Sequence, residues 1–429
     1  MRKLIFVFGL TTPLAAQTPA VRLINAADAA SPHTFGTVST VRQLPGGGVL
    51  VNDVQKRQLS LLDPSLAPRT VVADSASGTA NSYGVRPGGL IPYLGDSTLF
   101  VDPAGLSMFV IDPAGTIARV ASVPRSQDAP SLGSSLFGNP GLDANGRLVY
   151  RSAAIRFARP AAPANGKGLP TFPDPPDSAA LVRVDLATRK LDTAAFFKIP
   201  KIKMNIQQTD NGITATSEQN PMPIVDDWAV LADGSIAIVR GQDYHVDILH
   251  ADGTMSSSAK IPFDWQRLSD DDKVAVVDSA KAAFERARTT MGNNAGAATR
   301  RGDGGGGGRG EGTIVMSFRG GEGGGIRTGD NGGLPAVSFI SPSELPDYRP
   351  AFTLNATRAD LDGNLWVRTS ATRAGAVAGP IYDVINAKGE LIDRVQVPPS
   401  RQIVGFGKGG VVYLAVSDAS GAWLERTHR

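Results

Sequence analysis

Trp228-Ala229-Val230-Leu231-Ala232-Asp233-Gly234-Ser235-Ile236-Ala237-Ile238-Val239-Arg240-Gly241-Gln242-Asp243-Tyr244-His245-Val246-Asp247-Ile248-Leu249-His250-Ala251-Asp252-Gly253-Thr254 is the stretch that decides the fold. Two short apolar runs, 228–231 and 236–240, flank the turn Ala232-Asp233-Gly234. Gly241-Gln242-Asp243 turns the chain again. Residues 244–250 then alternate with period two, as a strand with two different faces must. Ala251-Asp252-Gly253 makes a third turn, and 254–261 can form a fourth strand. Gly supplies the positive φ that such tight reversals need. The stretch therefore predicts four antiparallel strands in sequence order.

The same phrase occurs five more times. Gly46-Gly47-Gly48 precedes Val49-Leu50-Val51, Gly95-Asp96-Ser97 precedes Leu99-Phe100-Val101, and Asn145-Gly146 precedes Leu148-Val149-Tyr150. Later, Asp362-Gly363 precedes Leu365-Trp366-Val367, and Lys408-Gly409-Gly410 precedes Val411-Val412-Tyr413. Gly47 to Ser97 is 50 residues, Ser97 to Gly146 is 49, and Gly363 to Gly409 is 46. The wider gaps, 88 from Gly146 to Gly234 and 129 from Gly234 to Gly363, each hold one repeat plus an insertion. A four-stranded unit recurring at this period predicts an all-β, six-bladed β-propeller. Blade 6 runs out one strand short. Residues 21–25 form a spare strand before blade 1, expected to complete blade 6 and leave no naked sheet edge.

The wording of blades 5 and 6 resembles known propellers: Asp360-Leu361-Asp362-Gly363-Asn364-Leu365-Trp366-Val367, then Gly389-Glu390-Leu391, Val397-Pro398 and Gly405-Phe406-Gly407. The chain resembles the six-bladed β-propeller superfamily in its broad TolB-like and NHL-like sense. Those two blades are most similar to the gluconolactonase/senescence-marker branch. That resemblance implies a metal-dependent lactonase or hydrolase, with Glu, Asn and Asp around a divalent ion that lowers the pKa of a bound water. In that branch an Asp-Gly pair just before the Asp-Gly-Asn-Leu-Trp-Val phrase supplies a key acid. Here the stretch reads Leu354-Asn355-Ala356-Thr357-Arg358-Ala359, without an acid.

The 429 residues include 49 Gly and 30 Pro, in keeping with frequent turns. Met1-Arg2-Lys3 followed by the apolar residues 4–16 reads as a cleavable signal peptide, too short to span a bilayer. Its removal leaves 41 basic against 40 acidic residues, which gives no electrostatic footprint for nucleic acid. The absence of cysteine excludes disulfides, thiolate metal sites and a lipoprotein anchor. The expectation is a periplasmic or secreted protein that does not span a membrane. It would act as a monomer with a small molecule or an envelope protein as partner, and need no cofactor unless the lactonase reading holds.

Three insertions, 153–178, 198–223 and 263–349, interrupt the 17–429 propeller. All fall in connections between strands two and three or between blades, so all should crown one rim. Within the third, Ser269 followed by Asp270-Asp271-Asp272 predicts a helix start. Val274, Val277, Phe284 and Met291 give a rough apolar stripe to about Thr290. The Gly-dominated tract 302–333 is expected to be disordered, and could itself be a docking platform.

Arginine ends the second strand in three blades, as Arg151, Arg240 and Arg368, while Asn52-Asp53 and Asp102 fall near the equivalent place. These are the candidate ligand-binding residues. Guanidiniums converging on the insertion rim would suit a carboxylate, sulfate or phosphate. Alternatively each pairs with a neighbour such as Asp227, Asp243 or Asp102 and holds blades in register. No catalytic residue and no metal ligand is predicted. His245 and His250 are five apart in one strand and face opposite ways. Asp143-x-Asn145-Gly146 and Asp360-x-Asp362-Gly363 read as hairpin turns rather than calcium loops.

Overall fold

A computed structural model of the protein describes residues 18–76, 81–84, 88–153, 176–201, 203–209, 212–299, 317–318, 337–371, 379–418 and 421–429. The signal segment, most of insertion 153–178 and nearly all of tract 302–333 lie outside the described residues.

Each repeat folds as an antiparallel sheet. Blade 1 comprises Val38–Gln43, Val49–Asp53, Gln58–Leu62 and Pro68–Ala73, and blade 2 comprises Gly89–Pro92, Thr98–Asp102, Ser107–Ile111 and Ile117–Ser122. Blade 3 has the very short inner strand Gly141–Leu142, then Leu148–Arg151, Ser178–Val184 and Leu191–Lys198. Blade 4 is Asp227–Val230, Ile236–Arg240, His245–Leu249 and Met255–Ser257. Blade 5 is Phe352–Ala359, Leu365–Thr369, Ile381–Ile385 and Leu391–Gln396. Blade 6 contributes Arg401–Phe406, Val411–Asp418 and Gly421–His428.

The core shows why these sheets form a ring. Six clusters of buried side chains are each shared by two neighbouring blades, and a seventh lies within the insertions. Leu59, Phe100 and Phe109 join blades 1 and 2; Val101, Leu148 and Tyr150 join 2 and 3; Leu181, Trp228 and Ile238 join 3 and 4. Tyr244, Phe352 and Val367 join 4 and 5; Trp366, Val384 and Val412 join 5 and 6; Val49, Val404 and Tyr413 join 6 and 1. One cluster at every junction closes the circle. The protein is a six-bladed β-propeller.

Closure departs from the expectation. Val21–Leu23 does not complete blade 6; it runs parallel to Leu391–Gln396 as a fifth strand on blade 5, and Arg22 pairs with Asp393 at 3.1 Å. Ile24 is buried in the cluster between blades 5 and 6. The missing strand of blade 6 is Ala29–Ala30, antiparallel to Gly421–His428. Flanking bonds extend it: Asp28 N–H to Arg426 O at 2.9 Å, Ser31 N–H to Leu424 O at 2.8 Å, and Phe35 N–H to Ala422 O at 2.6 Å. Val21–Leu23 thus lies on an outer edge with Leu23 exposed and only the following Ile24 buried, while two small alanines close the ring. Both terminal edges are covered, as the edge argument required.

Turn chemistry repeats with the blades. Asp63, Asp112, Asp143 and Asp360 each accept two backbone N–H groups of their own hairpin, two and four residues on. The apparent calcium loops are such turns. In blade 4, Gly234 has φ +84°, and a Cβ there would stand 2.1 Å from the Ala144 nitrogen. Only glycine fits where that hairpin meets blade 3.

Two insertions meet. The hairpin Lys203–Thr209 and Gly212–Gln219 lies between blades 3 and 4, and its second strand pairs with Ser317–Phe318 and, in parallel, with Val337–Phe339 from the insertion before blade 5. The helix there runs Asp270–Thr299, past the expected end. Ser269 caps it, its hydroxyl accepting from Asp272 N–H at 3.1 Å. Val277 is buried with Met222, Leu268, Ile340 and Leu345, whereas Val274 of the predicted stripe is 45% exposed.

Deleting residues 18–30 should uncover the edge of Gly421–His428 and cost at least about 2 kcal/mol in urea melts, with concentration-dependent self-association. A truncated chain as stable and as monodisperse as the full chain would contradict this closure.

Candidate functional site

The ends of the second strands fall into equivalent places, yet their side chains have different duties. Asp53 is buried, and its carboxylate accepts from Gly36 N–H (2.7 Å) and Thr37 N–H (3.0 Å) of the incoming linker. It also accepts from Gln55 N–H (3.2 Å) and Lys56 N–H (3.0 Å) of the following turn. Asp102 does the same in blade 2, with Gly84 and Ala104 N–H at 3.1 Å. These two candidates are latches between a blade's linker and its own turn. Asn52 Nδ2 donates to Gly88 O at 2.7 Å, tying blade 1 to the linker entering blade 2.

Arg240 is also structural. Its Nε lies 2.7 Å from Asp247 and its Nη1 2.8 Å from Asp226, all three largely buried. Asp226 is itself a latch, accepting from Lys198 and Gly241 N–H. The paired alternative describes Arg240, although with Asp226 and Asp247 rather than Asp227, Asp243 or Asp102. Asp243 takes His245 at 2.6 Å instead.

Arg151 and Arg368 remain without a carboxylate within 4 Å among the described residues. The Arg151 guanidinium sits 5.2 Å from the Phe137 ring centroid and 5.9 Å from that of Phe197, within cation–π range. Burial lowers its pKa, against the attraction of Asp227. Arg368 is exposed on Leu365–Thr369, directly opposite Tyr382.

A third guanidinium joins them. Arg358 pairs in register with Trp366, and Arg368 with Tyr382, so these four side chains share one face of blade 5. Arg358 Nη1 reaches Asn139 Oδ1 at 3.4 Å and has no carboxylate within 4 Å among the described residues. Burial lowers its pKa; Tyr382 and Asp227 oppose that shift, and the nearby positive charge of Arg368 adds to it. Burial raises the Tyr382 phenol, and Arg358 and Arg368 both pull it down.

Asp227 is the one acid in this group. It is buried at the start of Asp227–Val230, accepting from Trp228 N–H at 3.0 Å and from Thr357 N–H at 2.9 Å. Burial pushes its carboxyl up to about 6, against those hydrogen bonds. Arg151 and Arg358 therefore both feel this acid, while Arg368 stands beside Arg358 and Tyr382. The cluster draws on blades 3, 4 and 5 because the strand Phe352–Ala359 bulges toward blade 4, with Asn355 at φ +59°.

Residues 132–140 lie across the same end of the channel. The short helix Ala129–Gly133 precedes them, Asn139 bridges to Ala229, and Asn139 Nδ2 donates to Thr357 O at 2.7 Å. Below them an axial cavity of about 860 Å³ extends toward the first hairpin turns of the blades.

The residues at this site do not fit a divalent cation. The stretch 354–359, where the lactonase resemblance expects an acid, instead contributes the Arg358 guanidinium, and the oxygens of Asp53, Asp102 and Asp360 are engaged by amides. Among the described residues, no group of three or more His, Cys, Asp or Glu is placed to hold a metal ion.

No family model and no curated protein matches the chain in sequence. Solved structures resemble it only distantly. A member of the DUF4221 family from Bacteroides vulgatus is 10% identical over 96% of this chain and 99% of that one, with TM-score 0.48. A catalytically inactive virginiamycin B lyase from Staphylococcus aureus, solved with quinupristin, is 10% identical over 93% and 97%, with TM-score 0.37. Regucalcin from Agrobacterium tumefaciens, a calcium-binding protein, is 13% identical over 95% and 98%, with TM-score 0.34. Likeness this weak carries no functional argument; the blade count rests on the sheets and their six junctions. No described helix is long and apolar enough to cross a membrane.

Arg240→Gln should destabilise the protein by about 2–3 kcal/mol, because it strands two largely buried carboxylates, whereas Arg368→Gln should stay within about 0.5 kcal/mol of wild type. Urea denaturation of both variants checks the division; equal effects would refute it.

Proposed function

We propose that this propeller is an exported binding protein that takes an anionic group at the insertion-side mouth of its channel. The observation that carries the reading is that Arg358 and Arg368 share one face of blade 5 with Tyr382, that Arg151 and Arg358 both feel Asp227, and that none of the three has a carboxylate within 4 Å among the described residues. Guanidiniums left partly desolvated favour a carboxylate, sulfate or phosphate, which can accept several of their planar N–H donors at once. Arg368 offers the accessible contact, and Arg151, held between two rings, is pre-oriented.

Sulfate is a suitable probe because its charge is constant between pH 5 and 8. Isothermal titration should detect binding to wild type and a loss of at least about tenfold in the Arg151→Gln/Arg358→Gln/Arg368→Gln triple variant. General salting-out acts on both proteins alike and cancels in the comparison. Equal affinity in the two proteins would refute the proposal.

The pH dependence has a defined sign. Asp227, with its carboxyl near 6, is charged at pH 7.5 and opposes an incoming anion; protonation at pH 5 removes that repulsion. Sulfate should therefore bind more tightly as the pH falls through 6, and Asp227→Asn should flatten this profile. A profile unchanged by that substitution would remove Asp227 from the site.

A further inference from the structure

The axial cavity, which Arg358 of the rim cluster also lines, has a second cationic residue in blade 1. Arg42, on the inner strand of blade 1, lines it near the first hairpin turns. Its Nε donates to Thr98 Oγ1 at 2.8 Å and its Nη2 to Ser97 O at 3.2 Å, both in blade 2. Among the described residues Nη1 makes no hydrogen bond and no carboxylate lies within 4 Å of the guanidinium. Burial lowers the pKa of Arg42, with the more distant Asp96 acting against it. Beside it on the same strand, the Thr40 hydroxyl is buried without a partner among the described residues.

The rest of the wall is largely apolar. Leu44, Ile91, Leu231, Leu361, Val404 and Phe406 line the space, which at about 860 Å³ falls within the range that small-molecule sites occupy. Two acids line the wall: Asp96, exposed in the first hairpin turn of blade 2, and Asp360, whose oxygens are held by Asp362 and Asn364 N–H, the Asn364 amide and Trp366 Nε1. Lys408 is exposed in the first hairpin turn of blade 6 and adds positive charge at that mouth. Apolar walls with two incompletely satisfied guanidiniums, Arg42 toward the hairpin turns and Arg358 beside the rim cluster, select for a ligand having an apolar body and an anionic head.

We propose that the axial cavity is a binding site for an organic anion, a carboxylate or sulfonate on an apolar body, whose head group meets Arg42. The ligand enters by the hairpin-turn mouth, opposite the rim cluster, because residues 132–140 occupy the other end. The site shares only Arg358 with the rim reading and does not depend on it.

The probe is 8-anilinonaphthalene-1-sulfonate, titrated into the folded full chain with its fluorescence as readout. Saturable binding of one molecule per chain is expected, weakened about tenfold by Arg42→Gln and largely kept by Arg42→Lys, which retains the charge. Leu361→Trp should block the cavity and abolish binding, with a thermal melt confirming the fold. Arg368→Gln should leave the probe's affinity unchanged. Absent saturable binding, or binding indifferent to both Arg42→Gln and Leu361→Trp, overturns the proposal. So does binding weakened by Arg368→Gln but not by Arg42→Gln, which would place the probe at the rim and leave the rim reading standing. Failure of the sulfate comparison with success here would remove the rim site alone.

Discussion

A propeller blade is apolar on both faces, and only its neighbours can cover them. That constraint governs this protein. Trp228 serves the junction of blades 3 and 4, while Trp366 on the next blade serves that of 5 and 6. No blade buries its own core, so the ring must close for any blade to be stable. Ala29–Ala30 against Gly421–His428 makes that closure, and Val21–Leu23 reinforces it by binding blade 5 to the chain that enters blade 6. In blades 1, 2 and 4 a buried aspartate then locks the linker to the turn, with carboxylate oxygens accepting backbone N–H groups that would otherwise be unpaired.

The placement of acids gives the channel its sign. Among the described residues no carboxylate lies within 4 Å of Arg151, Arg358, Arg368 or Arg42, so their positive charge is left to the channel and its two mouths. Arg240 shows the contrast. With two carboxylates in contact it has become part of the frame.

The blade count was legible because turn chemistry and strand periodicity repeat together, and each Gly-turn copy marked a real hairpin. The closing strand was not legible. Ala29–Ala30 has neither β-branching nor alternation, and its identity is fixed only by the edge it covers. Residues 21–25 carried the stronger strand signal and sit elsewhere. At the site, the register of strand ends correctly aligned Asp53, Asp102, Arg151 and Arg240, but register does not tell which of them is paired. Asp226 and Asp247, the partners of Arg240, lie one blade segment away in opposite directions along the chain. Arg358 was visible only as a residue where an acid was expected; pairing the strands of blade 5 would have placed it on the face of Arg368. Asn139 and the segment crossing the channel come from a linker with no periodic signal, and nothing local to it could reveal that path.

The most direct test of the account is anomalous diffraction from crystals of the full chain grown with selenate, a sulfate analogue that marks its own position. The account predicts a selenium peak within hydrogen-bonding distance of Arg358 and Arg368, on the side facing Arg151. Crystals that bind selenate elsewhere and show none among these three guanidiniums would contradict it.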